Sequence, residues 1–228
     1  MPVDPLLRRG IRSYMRREGR MTEAQLRAVQ SLLPRFALSA DGPLDLNREF
    51  GRVAPIYLEI GTGNGDCLHA CAAQNPDNNY LGIEVHRPGV GHLLNQVVAS
   101  ELLNVRVSIC DVHSVLAQLP AECLSVVYIF FPDPWPKVRH HKRRLVQAAF
   151  LAALLRPMRR NGRVYIATDS ADYAENIALE LSTQTGWLNL AGHGVFAPRL
   201  KARICTRFEA RALADVRAVH EFALARAD

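Results

Sequence analysis

The stretch Leu58-Glu59-Ile60-Gly61-Thr62-Gly63-Asn64-Gly65 runs an apolar strand into a glycine turn, with a carboxylate two residues before the first glycine. Glycines let the backbone turn sharply and approach a ligand closely. The acid then selects the ligand. A dinucleotide pyrophosphate is anionic and requires bare N–H groups at a helix N-terminus. An acid beside the loop suits a ligand that carries positive charge, and S-adenosylmethionine has an ammonium, a sulfonium and no phosphate. The spacing agrees: Gly61, Gly63 and Gly65 give GxGxG, whereas the GxGxxG dinucleotide fingerprint needs a glycine where Asp66 stands. The loop reads as a methyl-donor site, with S-adenosylmethionine as cosubstrate and S-adenosylhomocysteine as product.

Working outward, strand and helix patterns alternate. Thr22–Leu33 reads as a helix with Thr22 and Gln25 placed for a capping box. Residues 37–55 form a connector into a first strand at Ile56–Ile60. A helix over Asp66–Ala73 precedes a second strand at Tyr80–Val85, and Val90, Leu93, Leu94, Val97 and Val98 mark the next helix. Val105, Val107 and Ile109 alternate as a third strand. Ser125–Phe131 is apolar enough for a strand buried on both faces. A helix over Lys142–Leu155 follows, then an Asn161-Gly162 turn into a fifth strand at Arg163–Ala167. Trp187–Leu190 and Arg203–Phe208 read as late strands, and an apolar-striped helix closes the chain. This alternation implies an α/β, Rossmann-like, doubly wound parallel sheet with right-handed crossovers. Residues 1–36 are expected to be a basic arm and helix, and 37–228 one domain.

In such a sheet the ligand crevice lies at the carboxyl ends of the strands, where strand order reverses. Acids stand at those positions. Glu59 ends strand 1, Glu84 ends strand 2, Asp111 ends strand 3 and Asp133 follows strand 4. Glu84, 19 residues after Gly65, is placed for both ribose hydroxyls. That position serves a nicotinamide dinucleotide equally well. Asp111 can accept from the adenine amino group or cap a helix, and Glu59 can meet the donor ammonium. Strand 4 ends in Phe130-Phe131-Pro132-Asp133-Pro134-Trp135-Pro136-Lys137, where three prolines in five residues stiffen the turn. The turn holds an acid, an indole and an amine over the crevice, and Trp135 is suited to stack on a base.

Basic residues cluster. Residues 8–20 hold six arginines, 137–144 hold five Lys/Arg with His140 and His141, and 199–211 hold five more, sixteen of 28 in all. Three clusters in one domain favour a polyanion such as nucleic acid. Lys142, Arg143 and Arg144, read as opening a helix, oppose its macrodipole and point to an anion held there. At 228 residues and 49% hydrophobic content the chain fits one large domain. No apolar run approaches the roughly 18–20 residues that span a bilayer. Arg8, Arg9 and Arg12 have no signal-like core behind them, so no membrane and a cytoplasmic location are expected. Cys67, Cys71, Cys110, Cys123 and Cys205 include no CxxC pair and His140 and His141 lack partners, so neither disulfide nor metal is expected.

These blocks closely resemble the tRNA (guanine-N7-)-methyltransferase family: EIGTGNG at 59–65, GIEVHRPGVG at 82–91, FFPDPWPKVRHHKRR at 130–144, ATDS at 167–170 and TRFEAR at 206–211, with RSYMRREGRMT at 12–22. The resemblance covers nearly the whole chain. It implies a class I methyltransferase fold, seven-stranded and mostly parallel with the last strand antiparallel. It also implies methyl transfer to N7 of the guanine at position 46 in the tRNA variable loop, by a monomer or homodimer. By motif position the donor site takes Glu59, Gly61, Gly63, Gly65, Glu84, Asp111 and Asp133, and Asp133 is the catalytic acid. The substrate set is Trp135, Lys137, Arg139, Lys142, Arg143, Asp169, Thr206, Arg207, Phe208 and Glu209. Asp169 and Ser170 compete for a helix N-cap. Arg207 stands where lysine is more usual, Pro136 where histidine is frequent, and Ala212 where a glycine tends to follow the arginine.

Three other readings stand beside it. An exocyclic-amine methyltransferase would use Pro132-Asp133-Pro134-Trp135 as a shifted Asp-Pro-Pro-Tyr loop. A nucleotide-dependent dehydrogenase is disfavoured by Glu59 and by the absent third glycine. A non-catalytic RNA-binding module would leave the donor acids without purpose.

Overall fold

The β-branched and aromatic runs of this chain become seven strands: β1 (Ile56–Ile60), β2 (Asn79–Ile83), β3 (Val105–Ser108), β4 (Leu124–Phe130), β5 (Met158–Thr168), β6 (Trp187–Asn189) and β7 (His220–Arg226). They form one sheet in the order β3-β2-β1-β4-β5-β7-β6. The computed structural model describes residues 13–14, 19–38, 42–201 and 203–227. Strands β1 to β5 are parallel, and β7 runs antiparallel to both β5 and β6. The chain winds outward through β1, β2 and β3, then restarts beside β1 with β4. That reversal gathers the carboxyl ends of five strands on one edge.

Helices cover both faces because β1, β2 and β4 carry apolar side chains on both. Over one face lie α6 (Val112–Gln118), α7 (Ala148–Leu155) and α8 (Ala171–Ser182), which pack Phe150, Leu151, Tyr173 and Ile177 onto Leu58, Val127 and Ile129. Over the other lie α4 (Asp66–Gln74) and α5 (Arg87–Ala99), whose Leu68, Ala72, Val90 and Leu94 meet Tyr80 and Val107. Each such fully buried aliphatic side chain contributes about 1.5–3 kcal/mol. The segments α1 (Glu23–Ser31) and α2 (Leu33–Phe36) extend this second layer through Ala28 and Phe36. The capping box forms as read, with Thr22 Oγ1 accepting from Gln25 N–H at 3.3 Å and Gln25 Oε1 from Thr22 N–H at 2.9 Å. A short α3 (Leu46–Phe50) lies within the 37–55 connector.

Four expectations are corrected. Residues 138–143 form a 3-10 turn and α7 starts only at Ala148, so Lys142, Arg143 and Arg144 do not open an α-helix and the macrodipole inference falls. Asn161-Gly162 lies inside β5, where Asn161 has φ +59° and the register to β4 shifts. The pair therefore makes a bulge within the strand. Residues 203–206 are irregular, and α9 (Arg207–Ala214) begins where a strand was read. The chain closes on β7, not on a helix. Of the basic arm, Arg8, Arg9, Arg12, Arg16 and Arg17 lie outside the described residues.

One close approach fixes the glycine turn. A Cβ at Gly89, in the first turn of α5, would lie 2.1 Å from the Gly63 carbonyl oxygen. The helix therefore packs directly on loop backbone. Gly89→Ala is expected to lose about 1–3 kcal/mol to overpacking, measurable as a lowered urea midpoint at unchanged m-value.

Candidate active site

The shared strand edge collects one acid per strand. Glu59 is the penultimate residue of β1, Glu84 follows β2, Asp111 follows β3, Asp133 follows β4 and Asp169 follows β5. Neighbouring strands lie about 4.8 Å apart, so the β3-β2-β1-β4-β5 order sets these acids in a row along one edge of the sheet.

Glu59 is buried, 3% exposed, and its Oε2 has no hydrogen-bond partner among the described residues. Burial drives its pKa well above 4.5, and Cys71, Glu84 and Asp66 add to the shift, while the Leu68 backbone N–H offsets part of it. Thr62 Oγ1, in the loop, is likewise buried and partnerless. Gly61 and Gly63 have φ of +79° and +57°, and a Cβ on either would meet nothing within 4 Å. The turn thus presents bare backbone to open space beside two unsatisfied oxygens.

Glu84 has a second task. Its Oε2 accepts from Gly63 N–H and its Oε1 from His86 N–H, each at 2.7 Å, so it straps the glycine turn to the start of α5. Burial raises its pKa despite those two bonds. A carboxylate accepts about four hydrogen bonds, which leaves capacity for ribose. Asp111 is the N-cap of α6, its Oδ1 accepting from His113 N–H at 2.9 Å.

The Pro132–Pro136 turn is strained at both ends, with Phe131 at φ +52° and Trp135 at φ +46°. Left-handed non-glycine residues cost about 1–2 kcal/mol each, so surrounding contacts must enforce them. Arg144 is one enforcer. Its guanidinium is buried over the Tyr173 ring, donates from Nε to the Pro134 carbonyl at 3.0 Å, and pairs with Asp172 at the start of α8. Trp135 is another. Its ring is buried under the Arg143 guanidinium at 3.9 Å, and its indole N–H reaches the Ser13 carbonyl at 3.1 Å. The base platform expected at Trp135 is therefore already covered. Phe208 is instead exposed, 55% accessible, with its ring 6.3 Å from Phe131 at an interplanar angle of 17°.

The remaining residues divide. Lys137, Arg139 and Lys142 are exposed on the 3-10 turn, and Arg207 is exposed in the first turn of α9. Thr206 caps α9, its Oγ1 accepting from Glu209 N–H at 3.1 Å. Ser170, not Asp169, caps α8, and Asp169 pairs with Arg217. Glu209 is buried in contact with Arg199 and Arg203. Nothing in the sequence pattern gives Phe131, Arg217 or Glu221 a role at the site, and Arg144, Arg199 and Arg203 lie in clusters read there as grips for a polyanion. Charge clustering marks such arginines but cannot separate those that turn inward. Among the described residues no group of three or more His, Cys, Asp and Glu is placed to hold a metal, and no helix is long and apolar enough to cross a membrane.

A family model described as "Putative methyltransferase" matches residues 53–222. A tRNA (guanine-N(7)-)-methyltransferase of Alkalilimnicola ehrlichii is 50% identical over 210 residues, 90% of this chain and 88% of that protein. One of Halorhodospira halophila is 45% identical over 93% of this chain and 94% of its own. Among solved structures, the 16S rRNA methyltransferase KamB aligns with a TM-score of 0.59 at 14% identity, over 82% of this chain and 96% of that one, a likeness of fold. With β7 between β5 and β6 and an acid at each parallel strand end, the chain belongs to the tRNA (guanine-N(7)-)-methyltransferase family.

Proposed function

We propose that this enzyme transfers the methyl group of S-adenosylmethionine to N7 of a guanine in tRNA, the one at position 46 in the variable loop. The observation that carries the reading is the buried, half-partnered Glu59 carboxylate beside open glycine backbone. Such a group is costly unless a cation meets it. The residues fit the donor: Glu59 for its ammonium, the Gly61–Gly65 turn for close approach, Glu84 for ribose and Asp111 for the adenine amino group. When bound, S-adenosylmethionine supplies an electrophilic methyl on a cationic sulfur. A charge-assisted hydrogen bond from its ammonium to Glu59 is worth about 1.5–3 kcal/mol.

Guanine N7 carries a lone pair and no proton, so attack there requires no general base. What the protein must supply is alignment, which brings reacting atoms to about 3–3.5 Å. Asp133, fixed between two prolines, holds the guanine N1–H and N2–H₂ edge, and its negative field favours the purinium charge that develops on the base. Phe208 offers a stacking face. Lys137, Arg139, Lys142 and Arg207 meet phosphates, and Asp169 meets the base once Arg217 yields it. The exocyclic-amine alternative is not favoured, since the named relatives are N7 enzymes.

Incubation with bulk tRNA and labelled donor, followed by aniline cleavage at 7-methylguanosine, is expected to give one cut in the variable loop. Methyl found on N2 or N6 instead would defeat the reading. Asp133→Asn should slow single-turnover methylation by about 100-fold or more with a smaller change in donor affinity, and an unchanged rate would remove Asp133 from catalysis.

Glu59 gives a pH test. Its raised folded-state pKa makes a stability contribution that is present below the ordinary value of 4.5 and lost as pH rises through the folded value. Glu59→Gln should therefore melt higher than the parent above neutrality, with the gain vanishing as pH falls toward 4.5. The same variant should bind donor about 10-fold or more weaker, read by calorimetry.

A further inference from the structure

Arg199, Arg203, Glu209 and Glu221 form an ion network at the foot of α9, in which all but Arg199 are buried. Four N–H donors reach the Glu209 carboxylate: Arg203 Nη1 at 2.8 Å, Arg203 Nη2 at 3.1 Å, Arg199 Nε at 2.7 Å and Arg199 Nη2 at 3.1 Å. That matches the number of lone-pair sites a carboxylate has. Arg203 Nη2 also donates to Glu221 Oε1 at 2.5 Å, and Glu221 Oε2 accepts from Leu200 N–H at 3.0 Å. The side chain of Arg203 is wholly buried, and its guanidinium lies 5.2 Å from the Phe130 ring centre and 5.5 Å from that of Phe131. Burial alone would raise the Glu209 pKa, but the Arg199 hydrogen bonds and the two guanidinium charges outweigh it and hold the carboxyl below its ordinary value.

Stability does not require such a network, because buried ion pairs often do no better than apolar side chains of the same volume. Position does. Through Arg203 the network reaches the tail of β4, through Glu221 it reaches β7, and through Glu209 it fixes the first turn of α9. On that turn Arg207 and Phe208 are exposed, with Phe208 stacked on Phe131. We propose that Arg199, Arg203 and Glu221 are positioning residues that act through Glu209 to present Arg207 and Phe208 to the RNA. The proposal rests on the reading that Arg207 and Phe208 meet tRNA.

The test is methylation kinetics of the full chain on a tRNA transcript with Arg203→Lys, Glu221→Gln and Arg199→Gln. Lysine keeps the charge but loses the planar fork. The KM for tRNA should rise about 10-fold in each variant, roughly 1.4 kcal/mol, while kcat and the KM for donor stay within about twofold. A purely structural role would lower the melting temperature and the active fraction and leave the tRNA KM unmoved. Binding over a salt series separates positioning from direct grip. The slope of log affinity against log salt should be unchanged, whereas loss of one phosphate contact would reduce it by about 0.7–0.9. Unchanged tRNA KM in any folded variant, or a reduced slope, would overturn the proposal. Arg199→Gln keeps the test decisive should the buried variants fail to fold, because that side chain is 45% exposed. A parent enzyme that does not methylate tRNA at all would instead sink the functional reading.

Discussion

A carboxylate taken out of water costs several kcal/mol unless something of opposite charge meets it, and Glu59 carries that cost at the centre of the sheet. β1 is flanked by β2 and β4, so Glu59, next to its last residue, has strands on both sides and little access to solvent. Much of the surrounding architecture serves to keep that position both dry and open. Glu84 spends two acceptor sites on the glycine turn. Gly89 lets α5 rest on the Gly63 carbonyl, and the glycines add no side chain to the space above. A neutral ligand would leave the charged form of Glu59 uncompensated. A cationic one relieves it.

The second organising feature is a division among the basic residues. Arg144 and Arg203 are both buried, both lie over aromatic rings and both hold a segment that follows β4 or approaches its end. They are fasteners. Lys137, Arg139, Lys142 and Arg207 sit on the segments so fastened and point outward. A rigid mount for mobile cations lowers the ordering entropy that RNA must overcome on binding. The two strained residues, Phe131 and Trp135, bracket Asp133, and the prolines on either side of the acid restrict its backbone further.

How much of this was legible beforehand depended on how local the cause was. The strand-to-glycine turn, the Thr22 capping box and the parallel strands β1 to β4 follow from periodicity and neighbouring residues and formed close to where they were read, while β5 begins five residues before its expected start. The row of acids followed from strand ends and alternation alone. The late chain was opaque for a physical reason. Phe208, Ala212, Leu213, Val216, Val219 and Phe222 carry helical spacing, but only α9 uses it. Beyond it the slot between β5 and β6 recruits His220–Arg226 as a strand, and a distant partner cannot be seen in a local period. Trp135 and the inward arginines were misjudged similarly. A ring or a guanidinium reads the same in sequence whether it faces RNA or the peptide next to it. The short 3-10 turn at Val138–Arg143 concealed itself because cationic runs are compatible with helix, and nothing in the composition announced that α7 starts at Ala148.

The placement of β7 has a consequence for biogenesis. During translation β5 and β6 leave the ribosome before the strand that must lie between them exists. Until His220–Arg226 arrives, the β5 margin offers free N–H and C=O groups to any extended peptide nearby. The nascent polypeptide is thus vulnerable in a defined interval, and closure waits on long-range pairing, which is slow. Chaperone demand should concentrate in that window rather than spread along synthesis.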